Sequence, residues 1–169
     1  MNQPISNEII IYTDGACIGN PGPGGYAAIV IAGKTKREIS GGFRLTTNNR
    51  MELMAAIVAL DSLGEKSQVT LYSDSSYLVN SMEQGWAKKW RAKDWKKGKA
   101  ENVDLWERLL ELCERHGVEF KWVMGHASNP FNNRCDYLSV QAAKGKNLPP
   151  DEPYEKGATR RPTPTLFDM

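Results

Sequence analysis

No run of about eighteen apolar residues occurs in the chain, so it has no helix able to span a bilayer, and no membrane partner is expected. The opening MNQPISNEII has no basic segment followed by an apolar core; the expectation is therefore no secretory signal and a cytoplasmic protein. Histidine and cysteine are scarce: two and three in 169 residues. Cys17, Cys113 and Cys135 are an odd number and form no Cys-x-x-Cys pair, which excludes a disulfide scaffold and a thiolate zinc site and fits a reducing compartment. Internal repeats and low-complexity blocks are absent as well. One domain with a sizeable core remains.

Charge is present but uneven. The formal net charge is only +2, yet residues 85–100, GWAKKWRAKDWKKGKA, carry seven Lys and Arg against a single Asp. The rest of the chain is therefore net negative. A local cationic segment on a mildly acidic body points to a polyanion met at one place.

The apolar run EIIIYTD (8–14) predicts a buried strand. YAAIVIAG and KREISGGFR predict two more, joined through a turn at Gly33–Lys34 into an antiparallel meander. TTNNRMELMAAIVALDSL predicts a helix over 48–63, with Thr47, Asn48 and Asn49 as candidate N-caps and Leu53, Ile57 and Leu60 at helical spacing. QVTLYSD (68–74) reads as a strand and SSYLVNSMEQG (75–85) as a short helix. NVDLWERLLELCERHG (102–117) reads as an amphipathic helix closed by Gly117, VEFKWV (118–123) as a strand and NNRCDYLSVQAAKG (132–145) as a last helix. The helical crossover between strands 68–74 and 118–123 implies parallel pairing, hence a mixed α/β sheet with helices on its faces. Residues 1–145 form the expected domain. Residues 146–169, holding five of the nine prolines and with Leu166 and Phe167 near the end, read as a mostly irregular tail, either solvated or docked onto the body or onto a partner.

Two aspartates close similar strands: Tyr12-Thr13-Asp14 and Tyr72-Ser73-Asp74. If those strands are parallel neighbours, both carboxylates project from the edge where ligand sites gather in such sheets. Two acids there repel unless a cation intervenes, and Mg²⁺ prefers oxygen ligands. Each acid alone also has a plain structural role: Asp14 in a turn, Asp74 as an N-cap, Glu52 against a helix dipole, Asp136 as a solvated early-turn acid. His126, in the polar loop GHASNP, has the chemistry of a proton shuttle. His116, at a helix end, reads as a cation complementing the dipole. The Gly/Pro stretch 15–25 is followed neither by Gly-Lys-Ser/Thr nor by a helix, so it reads as a strand-to-strand connection rather than a phosphate loop.

Four segments in order, YTDGACIGNPGPGGYAA, TTNNRMELMAAIVAL, YSDSSYLVNSM and GHASNPFNNRCDYL, resemble the bacterial ribonuclease HI (type 1 ribonuclease H) family over about residues 8–145. The resemblance implies a ribonuclease H fold, a five-stranded mixed sheet of order 3-2-1-4-5 with the second strand antiparallel. It implies a monomeric endonuclease that cuts the RNA strand of RNA–DNA hybrids and leaves 5′-phosphate and 3′-hydroxyl ends. It further implies that Asp14, Glu52, Asp74 and Asp136 hold two Mg²⁺ ions, or Mn²⁺, with catalytic His126 beside them. Asn20, Thr47 and Asn49 match positions that contact the nucleic acid. Segment 85–100 matches a basic handle, where Trp86, Lys88, Lys89, Trp90, Lys96 and Lys97 are the expected nucleic-acid contacts; Trp86 and Trp90 equally fit a role pinning a helix to the core. Phe131 and Asn133 stand where many relatives carry acids, and Ser76 where they often carry Gln.

Overall fold

The computed structural model describes residues 8–98, 100–125 and 128–160. Strands β1 (Glu8–Cys17), β2 (Gly22–Ala32) and β3 (Thr35–Thr46) form the antiparallel meander. Helix α1 (Asn48–Asp61) leads to β4 (Gln68–Ser73), which pairs parallel to β1. Three helices follow, α2 (Ser76–Glu83), α3 (Trp86–Ala92) and α4 (Asp94–Gly98), and then α5 (Val103–Arg115). Strand β5 (Gly117–Trp122) pairs parallel to β4, and α6 (Pro130–Ala143) and α7 (Glu152–Glu155) complete the described chain. The sheet order is β3-β2-β1-β4-β5, as the family resemblance implies.

The two sheet faces are covered differently. Ile9, Ile11, Val69, Leu71 and Phe120 pack against α1 and α5, which contribute Leu53, Ile57, Leu60, Leu105, Trp106 and Leu109. Helix α1 is buried on nearly every side, from Arg50 through Ile57, which accounts for its apolar character all round. Helix α5 buries one stripe and leaves Glu111 and Arg115 in water. On the opposite face α6 lays Cys135, Phe131 and Leu138 over Ala27, Ile29 and Tyr12. Strand β2 is thus sandwiched, and its run Ala27–Val30 is apolar without alternation. Each fully buried Leu or Ile here contributes about 1.5–3 kcal/mol.

The starts of α1, α2 and α6 follow cap chemistry. Thr47 Oγ1 accepts from Arg50 N, Ser75 Oγ from Leu78 N, and Asn129 Oδ1 from the amides of Phe131 and Asn132. Pro130 at the first position of α6 starts that helix two residues earlier than the sequence pattern suggests.

Three expectations need correction. Gly117 does not close α5; it opens β5, because His116 is already extended (φ −112°, ψ 154°). A Cβ at 117 would lie 2.5 Å from Gln68 Oε1, at the end of a flexible side chain that could move aside. His116 is not a dipole-facing cation. It is buried, its Nδ1 accepts from Ser67 N at 3.1 Å, and burial lowers its pKa, so the ring is neutral. The glycines of the opening stretch do more than connect strands. Only Gly19, at φ +69°, sits in the turn, while Gly22, Gly24 and Gly25 belong to β2.

Residues 148–160 return to the body. Pro149 O accepts from Arg44 N, and Thr159 O accepts from Val103 N. Asp151 is buried and receives Arg50 through two hydrogen bonds (2.7 and 2.9 Å) and Thr46 Oγ1 (2.7 Å). Arg50 also forms a bidentate pair with Asp104 at 2.8 and 2.7 Å, so one buried guanidinium ties α1 to α5 and to the C-terminal segment. Over residues 148–160 the segment docks onto the body through Asp151; Leu166 and Phe167 lie outside the described residues.

Candidate active site

Pairing of β1 with β4 ends at Thr13–Ser73, so Asp14 and Asp74 are the next residues on two adjacent parallel strands. Asp14 does not end its strand: β1 continues to Cys17, paired with β2 alone. That extension fixes the Asp14 main chain while its carboxylate turns to the open edge. Glu52 comes from the first turns of α1. One carboxylate oxygen from each of Asp14, Glu52 and Asp74 lies within 4.8 Å of the other two. Asp14 and Glu52 are 3% and 4% exposed, which makes their closeness electrostatically costly. Asp136, on α6, is half-buried and lines the same cleft of about 490 Å³, together with Asn48, Asn49, Ser75 and Ser76.

The electrostatics follow from that crowding. Burial, and then the charge of Asp74, pushes the Asp14 carboxyl up to about 8. Burial and the charges of Asp14 and Asp74 raise Glu52 well above the usual carboxylate range. Asp14 and Glu52 are hydrogen-bonded to each other, and Gly15 N donates to Asp14 Oδ1 at 2.9 Å. Without a cation the cluster holds a proton in place of one negative charge. Glu52 Oε2 is buried with no hydrogen-bond partner among the described residues. A buried, unpartnered carboxylate oxygen beside two further carboxylates fits a hard divalent cation such as Mg²⁺, and the absence of sulfur or imidazole from the trio disfavours a softer metal.

The other expected site residues divide. Asn20 Oδ1 accepts from Asn48 N and Thr47 caps α1, so both shape the cleft rim. Asn49 is exposed on that rim. In the basic segment Trp86 is 43% exposed, and Lys88, Lys89 and Lys96 are exposed. Trp90 is half-buried, edge-on to Trp106 at 5.8 Å, with Lys96 Nζ 5.0 Å over its face. It therefore pins α3 to the core and still lines a groove with Trp86, Tyr77 and Lys96. Trp95 is no surface aromatic: it is buried and its indole donates to Glu107. His126 and the Lys97 side chain lie outside the described residues. Phe131, a departure from the family pattern, packs on Tyr12 at 5.1 Å, and Tyr12 stacks on Tyr72 at 4.9 Å, forming an aromatic row beneath α6.

Fold and cleft together define a class, an α/β protein with an acidic cleft that could hold a metal ion. Comparison with known proteins narrows it. The family model described as RNase H matches residues 6–144. Ribonuclease H of Desulforamulus reducens is 60% identical over 147 residues, covering 85% of this chain and 92% of the relative. Ribonuclease HI of Synechocystis is 53% identical over 154 residues, covering 89% and 96%. Among solved structures, LC9-RNase H1 superposes with a TM-score of 0.76 at 27% identity, covering 99% of this chain and 93% of that one. LC11-RNase H1, solved in complex with an RNA/DNA hybrid, gives 0.64 at 27% identity, covering 80% and 96%. The chain belongs to the RNase H family, and is a metal-dependent endoribonuclease.

Proposed function

We propose that the cleft hydrolyses the RNA strand of RNA–DNA hybrids internally, with Asp14, Glu52, Asp74 and Asp136 holding two Mg²⁺ ions that Mn²⁺ can replace. The observation that carries this reading is the buried trio itself, with carboxylate oxygens within 4.8 Å and one Glu52 oxygen without a partner among the described residues. Ions bound there would supply an activated water for in-line attack and charge relief at the leaving oxygen, yielding 5′-phosphate and 3′-hydroxyl ends.

The chain's own residues orient the reaction. Asp14, hydrogen-bonded to Glu52 and close to Asp74, would be the acid best suited to hold both ions. Asp136, half-buried like Asp74, would complete the ligand set from α6. His126, which follows Gly125 in sequence, is assigned to moving protons at the leaving end. Asn49, with Asn20 and Thr47 shaping the rim, faces the RNA strand, whose 2′-hydroxyls distinguish it from DNA. Lys88, Lys89, Lys96 and Lys97 neutralise phosphates of the DNA strand, and Trp86 and Trp90 pack on its sugars. The hybrid bound by LC11-RNase H1 supports this assignment of substrate. All four acids come from one chain, so a monomer suffices.

The test is a gel comparing an end-blocked RNA–DNA hybrid, duplex RNA and duplex DNA, each with Mg²⁺ and with EDTA. The expected result is internal cleavage of the hybrid RNA alone, abolished by EDTA. Cleavage of duplex DNA, resistance of the end-blocked hybrid, or activity in EDTA would contradict the proposal.

A further inference from the structure

The crowding of Asp14, Glu52 and Asp74 requires that the main chains carrying them approach unusually closely. At two points the approach leaves no room for a side chain. Gly15 follows Asp14 in β1. A Cβ placed on it would lie 2.5 Å from Glu52 N and 2.6 Å from Met51 C. Both are backbone atoms of α1, so no rotamer change could relieve the clash. Gly125 lies just beyond β5. A Cβ there would lie 2.7 Å from Asp74 Oδ2, against the carboxylate itself. Neither glycine has a positive φ among those recorded (Gly19, Gly33, Gly85 and Gly157 do), so the demand is for space and not for backbone freedom. A third contact comes from the same exit segment of β5: the Trp122 indole Nε1 donates to Asp74 O at 3.1 Å, although the ring is 53% exposed. Asp74 is thus held at its carbonyl by Trp122 and bounded at its carboxylate by Gly125, while Gly15 lets α1 bring Glu52 down onto Asp14.

We propose that Gly15, Gly125 and Trp122 are positioning residues that set the separation of the three carboxylates and thereby the cleft's affinity for Mg²⁺. This rests on the reading of the acids as metal ligands. Mg²⁺ demands near-ideal octahedral geometry at about 2.1 Å, so it tolerates displacement of a ligand less well than a larger, more adaptable ion. Enlarging the site by a methyl group should therefore weaken Mg²⁺ more than Mn²⁺. Groups that orient metal ligands without touching the metal are commonly worth about 10- to 100-fold in metal affinity.

The experiment is direct metal binding by the full chain without nucleic acid, with Mn²⁺ followed by electron paramagnetic resonance and Mg²⁺ by competition. Gly15→Ala, Gly125→Ala and Trp122→Phe are compared with the wild type, with Asp14→Asn and with Gly64→Ala. A Cβ at Gly64 meets nothing within 4 Å, which makes that variant the control. The expected result is a loss of Mg²⁺ affinity of about tenfold or more in Gly15→Ala and Gly125→Ala and a smaller loss in Trp122→Phe. The ratio of Mg²⁺ to Mn²⁺ affinity should fall in all three, and KM for the hybrid should stay at the wild-type value. Should Gly15→Ala fail to fold, Gly125→Ala and Trp122→Phe still decide the matter, since both lie on the exposed exit of an edge strand. Wild-type Mg²⁺ affinity in the folded variants, with Asp14→Asn impaired, would overturn the proposal and leave the metal reading standing. Unimpaired affinity in Asp14→Asn would overturn the metal reading itself.

Discussion

The acidic cleft and the basic segment 85–100 are built in opposite ways. The cleft's acids are far apart in sequence, at positions 14, 52, 74 and 136, and the sheet topology brings them together. Asp14 and Glu52 are buried and carry raised pKa values. The handle is contiguous: its cations fall within residues 85–100, and Lys88, Lys89 and Lys96 stand exposed. Buried charges act over short distances at high energy and tolerate no displacement. Exposed cations act through many weak, screened contacts and tolerate individual loss. The cleft should therefore govern chemistry and the handle affinity, and variants of each should separate the two.

The sharpest separation is expected from Asp14→Asn or Asp74→Asn. Each should lower kcat by about a thousandfold or more, corresponding to roughly 4 kcal/mol of transition-state stabilisation. Hybrid binding through the handle, measured by fluorescence anisotropy, should stay within a few-fold of wild type. Next comes a variant that touches neither region. Asp151→Ala strands one side of Arg50 and removes the Thr46 contact, and should cost about 3 kcal/mol of unfolding free energy in urea. Its kcat well below the melting transition should be unchanged. A smaller effect is expected from the triple variant Lys88→Ala, Lys89→Ala, Lys96→Ala. KM should rise about tenfold, and the slope of log affinity against log salt should flatten by roughly 2 to 3, with kcat held. An unaltered salt slope would break the comparison, because the handle would then not be reading phosphates.

The smallest effect concerns stability and pH. The Asp14 carboxyl is pushed up to about 8, so the folded, metal-free protein binds a proton more tightly than the unfolded chain does. Its stability should fall as pH rises from about 4 to about 8, as the proton is lost from the unfolded chain first. Mg²⁺ offsets that loss, so the rise in Tm on adding Mg²⁺ should grow across the same window. Asp14→Asn should raise the metal-free stability at pH 8 by about 1 kcal/mol or more, against its effect on activity.

Asp14 and Asp74 were legible in the sequence because they sit in a repeated local pattern, whereas Glu52 and Asp136 entered only through the family resemblance. The repeated Tyr-x-Asp stretches lie on two strands that pair in register, Tyr12 opposite Tyr72 and Thr13 opposite Ser73, although β1 runs on past Asp14 to Cys17. Helix α1 and its Thr47 cap follow from periodicity and cap chemistry. What escaped the sequence depends on contacts between distant segments. Asp151 looks like any acid in a proline-rich tail, and only packing against Arg50 and Thr46 gives it a role. Trp95 sits among lysines as Trp86 does, yet one ring is buried and the other is in water. The turn over Asp94–Lys96, with φ near +50° to +56°, directs Trp95 inward and returns Lys96 over Trp90. Gly24 and Gly25 read as turn residues, but in β2 they let neighbours close in: a Cβ at Gly25 would lie 2.0 Å from Ser139 O of α6, the helix that carries Asp136.

The central claim is that three carboxylates are packed so tightly that a cation is required to ionise them together. Carboxyl ¹³C NMR of the protein, titrated with and without Mg²⁺, tests it most directly. The expected result without metal is a carboxyl resonance from the Asp14–Glu52 pair that titrates near pH 8 and is lost in Asp14→Asn; with saturating Mg²⁺ that titration should vanish. If Asp14 and Glu52 both titrate in the ordinary carboxylate range in the metal-free protein, or if Mg²⁺ leaves the high titration in place, no cation is required to ionise the cluster.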